Sequence, residues 1–286
     1  MHSRRDFNKA VLAGIPAALA YGANISMFNG VQIGIITYSF ITLPAKDLLP
    51  SILKAGVGEI ELMSDHAEAL IGAPSGADAL RKWRSGVSLN AYKDLSKKFV
   101  AAGVEIQLLC FNLNDANTDD EIDYSFQMAQ ALGVKAITCS TKIKVARRVA
   151  PFADKYKIMW GAHGHDQTAD PDEFATPASF ATVMSLSKYM GVNLDIGHFT
   201  AANYDPVAYI KEHHDRITNL HLKDRKRNHG ASLPWGQGDT PIKEVLQLLK
   251  KEKYTFPANV EYEYLGKDDP VTEVARCVKF CKDALA

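Results

Sequence analysis

The sequence predicts an α/β fold of the closed (β/α)8 TIM-barrel class, and three observations carry that expectation. Short apolar runs recur along the chain, each followed by a turn and an amphipathic stretch of ten or more residues. The runs are apolar on both faces, as in parallel strands covered by helices. After the first run, Ile36-Thr37-Tyr38-Ser39-Phe40 contains no glycine, so the fingerprint of a doubly wound dinucleotide-binding sheet is missing.

The expected strands are residues 33–37, 59–63, 104–111, 134–139, 157–163, 192–195, 217–221 and 258–262. Helical patterns fall at 89–102, 121–132, 177–190, 206–214, 240–252 and 270–284. Eight strand-helix units fill residues 27–286 as one barrel domain, and no linker, charge block or low-complexity segment divides it. Residues 1–26 read as an address and a linker. Arg4 and Arg5, with Phe7 and Lys9, precede a run of small apolar residues at 10–20, the order of a signal peptide. They resemble a twin-arginine export signal, which implies a periplasmic or otherwise exported protein that folds before export.

Composition excludes several classes. The 33 Lys and Arg balance 33 Asp and Glu, so no overall positive field draws the chain to nucleic acid. Cys110, Cys139, Cys277 and Cys281 form no CxxC pair, which argues against a disulfide scaffold or thiolate zinc module; packing is the simplest role for all four. No apolar run reaches the roughly 18 residues that span a bilayer, so no integral membrane segment is expected in the mature chain.

Polar residues at the C-terminal ends of barrel strands converge on one mouth. Five strands here end in acid/base groups or metal ligands: Glu61, His163 with His165, Asp195 with His198, His221, and Glu261 with Glu263. Carboxylates behind apolar strands are costly to bury without a cation. Neutral imidazoles can share that cation, and the mixture suits a divalent transition metal. His163, Asp195, His221 and Glu261, from four consecutive strands, are the expected ligands. Manganese is the first choice of ion, with zinc, cobalt, iron or magnesium as alternatives. Glu261 could instead pair with Lys223 or Arg225.

Asn193-Leu194-Asp195-Ile196-Gly197-His198, His221-Leu222-Lys223-Asp224-Arg225 and Val260-Glu261 together resemble the xylose isomerase-like TIM-barrel superfamily, which contains sugar phosphate isomerases and epimerases. The resemblance implies that Asp195, His221 and Glu261 bind metal. Where the epimerases carry a first Glu this chain has Ala162-His163-Gly164-His165, so His163 or His165 stands in its place and two-sided epimerisation is brought into question. Glu261 is then the leading base and His163 or His165 the acid. By the same resemblance His198 and Arg225 contact sugar oxygens, Glu61 and His66 line the pocket, and Trp235 opens a Gly-rich loop, Trp235-Gly236-Gln237-Gly238-Asp239. That loop reads equally as a phosphate cradle or as an ordinary turn into a capped helix.

The function expected is proton abstraction beside a carbonyl of a small carbohydrate, through an enediolate, by a metal-dependent isomerase or epimerase. The alternative is a lyase or hydratase of 3-keto-glycosides, which needs one base rather than two. An abasic-site endonuclease and a sugar-binding protein without catalysis rank below these. Barrels of this family often pair as homodimers, although nothing in this chain requires it.

Overall fold

Every strand of the barrel alternates its side chains between a helix-covered outside and a polar inside. The computed structural model describes residues 26–286, so the expected export signal lies, save Ser26, outside the described residues. Parallel strands β2 (Val31–Ile36), β3 (Glu59–Met63), β4 (Glu105–Cys110), β5 (Ala136–Ser140), β6 (Met159–His163), β7 (Met190–Asp195), β8 (Ile217–Leu222) and β9 (Ala258–Val260) pair in sequence order. Pairing of β2 with β9 closes the ring, Ile35 standing beside Ile60 on one side and Val260 on the other. The expected eight-stranded barrel is therefore present. A ninth strand, β1 (Met27–Phe28), runs antiparallel to β2. Its turn is Asn29-Gly30, with φ of 47° and 87°, the residue pair that two-residue hairpins favour.

Apolar partners on the outside, such as Ile60, Leu62, Ile137, Val192, Leu194, Leu220 and Val260, are fully buried under the helices. The helices expected near 89–102, 121–132, 206–214, 240–252 and 270–284 appear as Asn90–Ala101, Asp119–Leu132, Pro206–His213, Ile242–Glu252 and Pro270–Leu285. Three helices start with Pro just inside a side-chain cap, behind Thr176, Asp205 and Asp269. The helix expected at 177–190 stops at Leu186, because Ser187 is extended and Met190 already belongs to β7. Further helices lie outside those expected: Leu48–Ala55, Ser64–Leu70, Ala77–Arg84 and Ile196–Ala201 are short, and Ile143–Tyr156, although amphipathic, carries Pro151, which reads as a breaker.

Alternate residues on the other face form a buried polar interior. Glu61 of β3 accepts hydrogen bonds from Thr138 of β5, Asn219 of β8 (2.8 Å) and Asn259 of β9 (3.0 Å), contacts that only the space inside the barrel allows. Glu59 lies two residues below on β3, fully buried, with no donor for either carboxylate oxygen among the described residues. Gly34 makes room for it, since a Cβ there would overlap the Glu59 carboxyl and touch Asn259 Oδ1. Burial, reinforced by Glu61 and Glu105, holds the Glu59 pKa well above the usual carboxylate range.

A carboxyl with a raised folded-state pKa binds more protons folded than unfolded, so its penalty grows as pH rises above about 4.3. Glu59→Gln keeps the shape, carries no charge and can donate to Asn259. Its expected effect is a thermal midpoint raised by a few degrees at pH 8, equivalent to about 1–3 kcal/mol, with a smaller gain at pH 5. Calorimetric melts of both proteins at the two pH values check it, and a gain that does not grow with pH contradicts it.

Candidate functional site

Four donor atoms with no hydrogen-bond partner mark the mouth of the barrel. They are His163 Nδ1 at the end of β6, Asp195 Oδ2 at the end of β7, His221 Nδ1 on β8 and Glu261 Oε2 just past β9. All four residues are buried, and one ligand atom from each lies within 4.8 Å of the others. Buried polar atoms are normally satisfied, so four orphans facing one point are a deficit that a cation fills.

Two of the four candidate ligands, Asp195 and His221, are held by their other polar atom. Asp195 Oδ1 accepts the His198 backbone N–H at 2.7 Å, capping Ile196–Ala201, which leaves Oδ2 facing inward. His221 Nε2 lies 2.7 Å from Glu61 Oε2, and the donors around Glu61 keep that carboxylate in place. With Nε2–H donating to Glu61, Nδ1 is the nitrogen left to the site, and it would serve as a ligand once an ion displaces its own proton. It lies 2.9 Å from Glu261 Oε2 yet out of line for a hydrogen bond, as two ligands of one ion would be. Two imidazoles and two carboxylates fit a divalent ion such as manganese or zinc.

The charges around this point are tightly coupled. Burial opposes protonation of His221, but Glu61 and Glu261 on either side outweigh it and hold its pKa well above the ordinary value. His163 goes the other way, held neutral by burial and by His221 and His165 beside it. Burial likewise disfavours charge on Asp195 and Glu261, yet Lys223 overrides it and keeps both pKa values low.

Lys223 is the residue that the sequence reading missed as part of the site. Its Nζ lies 3.0 Å from Asp195 Oδ2, 3.1 Å from Glu261 Oε2 and 2.5 Å from Glu263 Oε2, with the side chain 2% exposed. Of the two alternative partners offered for Glu261, Lys223 lies against it, while Arg225 pairs with Asp166. The signal was the period of two that puts Asn219, His221 and Lys223 on the same inner face.

A cavity of about 160 Å³ opens above these residues, lined among others by His163, His165, Asn112, Ser140, Glu261 and Glu263. His165 is gripped at both nitrogens. Nδ1 lies 3.1 Å from the buried Glu173, which is itself held by Lys142 at 2.7 Å, and Nε2 lies 3.1 Å from Ser140 Oγ. His163 belongs to the four-residue cluster, while His165 stands on the cavity wall with its ring centre 4.9 Å from that of His163.

Five residues expected to touch substrate lie elsewhere. Glu61 is fully buried beneath His221 and supports it instead of lining the pocket. His66 turns Nδ1 onto Thr37 Oγ1 at 3.0 Å, behind the wall. His198 Nδ1 lies 2.9 Å from Asp166. The Arg225 guanidinium also meets Asp166, at 2.7 Å, and donates twice to the Gly230 carbonyl. Trp235 packs edge-on against Phe280 of the last helix, with ring centres 5.6 Å apart. The Gly-rich loop that it opens is an anion cradle already filled, because Gly236, Gly238 and Thr240 all donate their N–H groups to Asp224, at 2.7, 2.9 and 3.2 Å.

An ion entering between Asp195 Oδ2 and Glu261 Oε2 meets the Lys223 ammonium on those same oxygens. Lys223→Met is therefore expected to bind manganese at least tenfold more tightly, a difference of about 1.4 kcal/mol. Its metal-free form should melt at a lower temperature, since three carboxylates then lack their cation. Titration calorimetry on metal-stripped protein checks this, and weaker binding would make Lys223 a support for the ligands instead of a competitor.

Comparison with known proteins agrees with the architecture. Over 92 residues the chain is 27% identical to L-ribulose-5-phosphate 3-epimerase UlaE of Escherichia coli, a match covering 32% of each chain. The chain thus spans about a third of that curated relative's length. The structure of 3-keto-D-glucoside 4-epimerase YcjR from E. coli superposes with a TM-score of 0.65 at 12% identity, covering 88% of this chain and 99% of that one. IOLI protein with a bound zinc atom gives 0.64 at 17% identity, covering 88% and 97%. Residues 52–283 match the model of one family. With its closed eight-stranded barrel and the ligand cluster at its mouth, this chain belongs to the xylose isomerase-like TIM barrel family.

Proposed function

We propose that the protein is a metal-dependent isomerase or epimerase that removes a proton beside the carbonyl of a keto sugar. The observation that supports this reading best is the set of four orphaned donor atoms facing one point under a cavity of sugar-ring size. His163, Asp195, His221 and Glu261 would hold a divalent ion, manganese first. The chemistry it supplies when bound is Lewis-acid polarisation of a carbonyl, which stabilises the charge that develops as the neighbouring proton leaves.

The chain's own residues do the rest. Glu261 presents its carboxylate to the cavity and takes the proton. Glu61 keeps the His221 ring in one orientation. His165, with Nδ1 against Glu173 and Nε2 beside Ser140, returns a proton from the other wall. The export expected from Arg4 and Arg5 would place this activity in the periplasm.

A specific feature favours a second reading. Both carboxylates on the cavity wall, Glu261 and Glu263, come from the segment after β9, and the wall carrying His163, His165 and Ser140 has none. One base suffices for a lyase or hydratase that expels or adds the C1 substituent of a 3-keto-glycoside.

Proton NMR in deuterium oxide separates the two. The manganese-loaded protein is expected to exchange the proton beside the carbonyl of a ketose or a 3-keto-glucoside, with chelation abolishing exchange and Asp195→Asn lowering it by about two orders of magnitude. Exchange or interconversion without aglycone release supports the isomerase or epimerase; release supports the lyase. Absence of exchange and release across a broad panel of keto sugars would sink both.

A further inference from the structure

Three groups near the mouth that resemble phosphate binders are already engaged by the chain itself. Arg225 is committed to Asp166 and the Gly230 carbonyl, Lys223 to three carboxylates, and the Gly-rich loop to Asp224. A phosphate dianion would have to break one of these buried pairs to be bound.

The space beside the cavity has a different character. The 160 Å³ cavity has room for about five water molecules, enough for one sugar ring and little more. A groove of about 390 Å³ adjoins it, with Tyr38 and Glu263 lining both. Ile41, Tyr262, Tyr264 and Pro270 supply most of the remaining wall, and among the described residues no Lys, Arg or His lines it. Ile41 leaves 49% of its surface exposed there.

The groove is built before anything enters it. Tyr262 N–H donates to Ser39 Oγ at 3.0 Å and Ser39 Oγ donates to the Val260 carbonyl at 3.2 Å, tying the segment after β9 to the one after β2. The rings of Tyr262 and Tyr264 meet edge to face at 4.7 Å, and Tyr264 OH donates to Glu273 at 2.9 Å. Aromatic faces held in this way favour a flat or apolar partner at little entropic cost.

We infer that the substrate is an unphosphorylated keto sugar bearing an uncharged apolar or aromatic substituent, its ring in the cavity and the substituent in the groove. The inference rests on the keto-sugar reading above and specifies the substrate class for it. Among the described residues no Lys or Arg lines the cavity or the groove to meet a phosphosugar, whereas a glycoside with an apolar aglycone covers Ile41 and the tyrosines.

The test is calorimetric binding to the manganese-loaded full chain, using methyl 3-keto-glucoside, phenyl 3-keto-glucoside, ribulose and ribulose 5-phosphate. Phenyl 3-keto-glucoside is expected to bind at least tenfold more tightly than the methyl compound, and ribulose 5-phosphate no better than ribulose. Ile41→Asp, a change at an exposed position, should lose most of the phenyl preference and leave the methyl compound unaffected. Equal affinity for the two glucosides, a phenyl preference that survives Ile41→Asp, or tighter binding of the phosphate overturns the inference alone. Failure of all four sugars to bind removes the keto-sugar reading and this inference with it.

Discussion

Two ionised carboxylates buried at the mouth of an apolar-walled barrel are the constraint on which the site depends. Asp195 and Glu261 are 1% and 5% exposed, and neither can hold a charge there without a cation close by. Lys223 supplies one such charge from β8, and His221, flanked by Glu61 and Glu261, is driven toward a second. The polar interior below serves the same end. Asn219, Asn259 and Thr138 steady Glu61, Glu61 fixes His221, and the orientation of His221 decides which lone pair meets the site. A chain of hydrogen bonds four strands wide therefore sets the position of a single nitrogen.

Strand periodicity made most of this legible in the sequence. A period of two puts Gly161 with His163, Asn193 with Asp195, Asn219 with His221, and Asn259 with Glu261 on the inner face, so the four candidate ligands follow once the apolar runs are read as barrel strands. The same periodicity does not say how high along the barrel axis a side chain reaches. The resemblance put Glu61 on the pocket wall, but its short carboxylate stops below His221. Lys223 shows the converse case, because its long stem brings the ammonium back to Asp195 and Glu261 from a position two residues beyond the ligand. His66, Arg225 and Trp235 do not line the cavity above the ligand cluster, because family position fixes a place on the chain and leaves the local partner open. Thr37, Gly230 and Phe280 are those partners.

The loop from Trp235 to Thr240 shows how one geometry serves opposite purposes. Backbone N–H groups converging from a glycine-rich turn form a nest for an anion, whatever its source. In this chain the anion is Asp224, three residues after His221 and next to Lys223. A Cβ at Gly238 would overlap its carboxylate, so the glycine is required by a contact within the protein instead of by a ligand. The nest pins the segment after β8, and with it the stretch that carries Lys223 into the site.

A histidine at 163, where the resemblance leads one to expect a carboxylate at this residue or at His165, bears on the electrostatics as well as the chemistry. A carboxylate at that position would add a third negative ligand beside Asp195 and Glu261, and one Lys223 ammonium would balance a smaller share of the total. With a neutral imidazole there, the inward-facing set of His163, His221, Asp195 and Glu261 carries two formal negative charges, which a divalent ion neutralises in full. Lys223 then has Glu263 as its remaining partner at 2.5 Å, on the rim where the cavity meets the groove. The ligand substitution and the Lys223–Glu263 pair are thus two parts of one charge balance, and changing either shifts the charge that the other must meet.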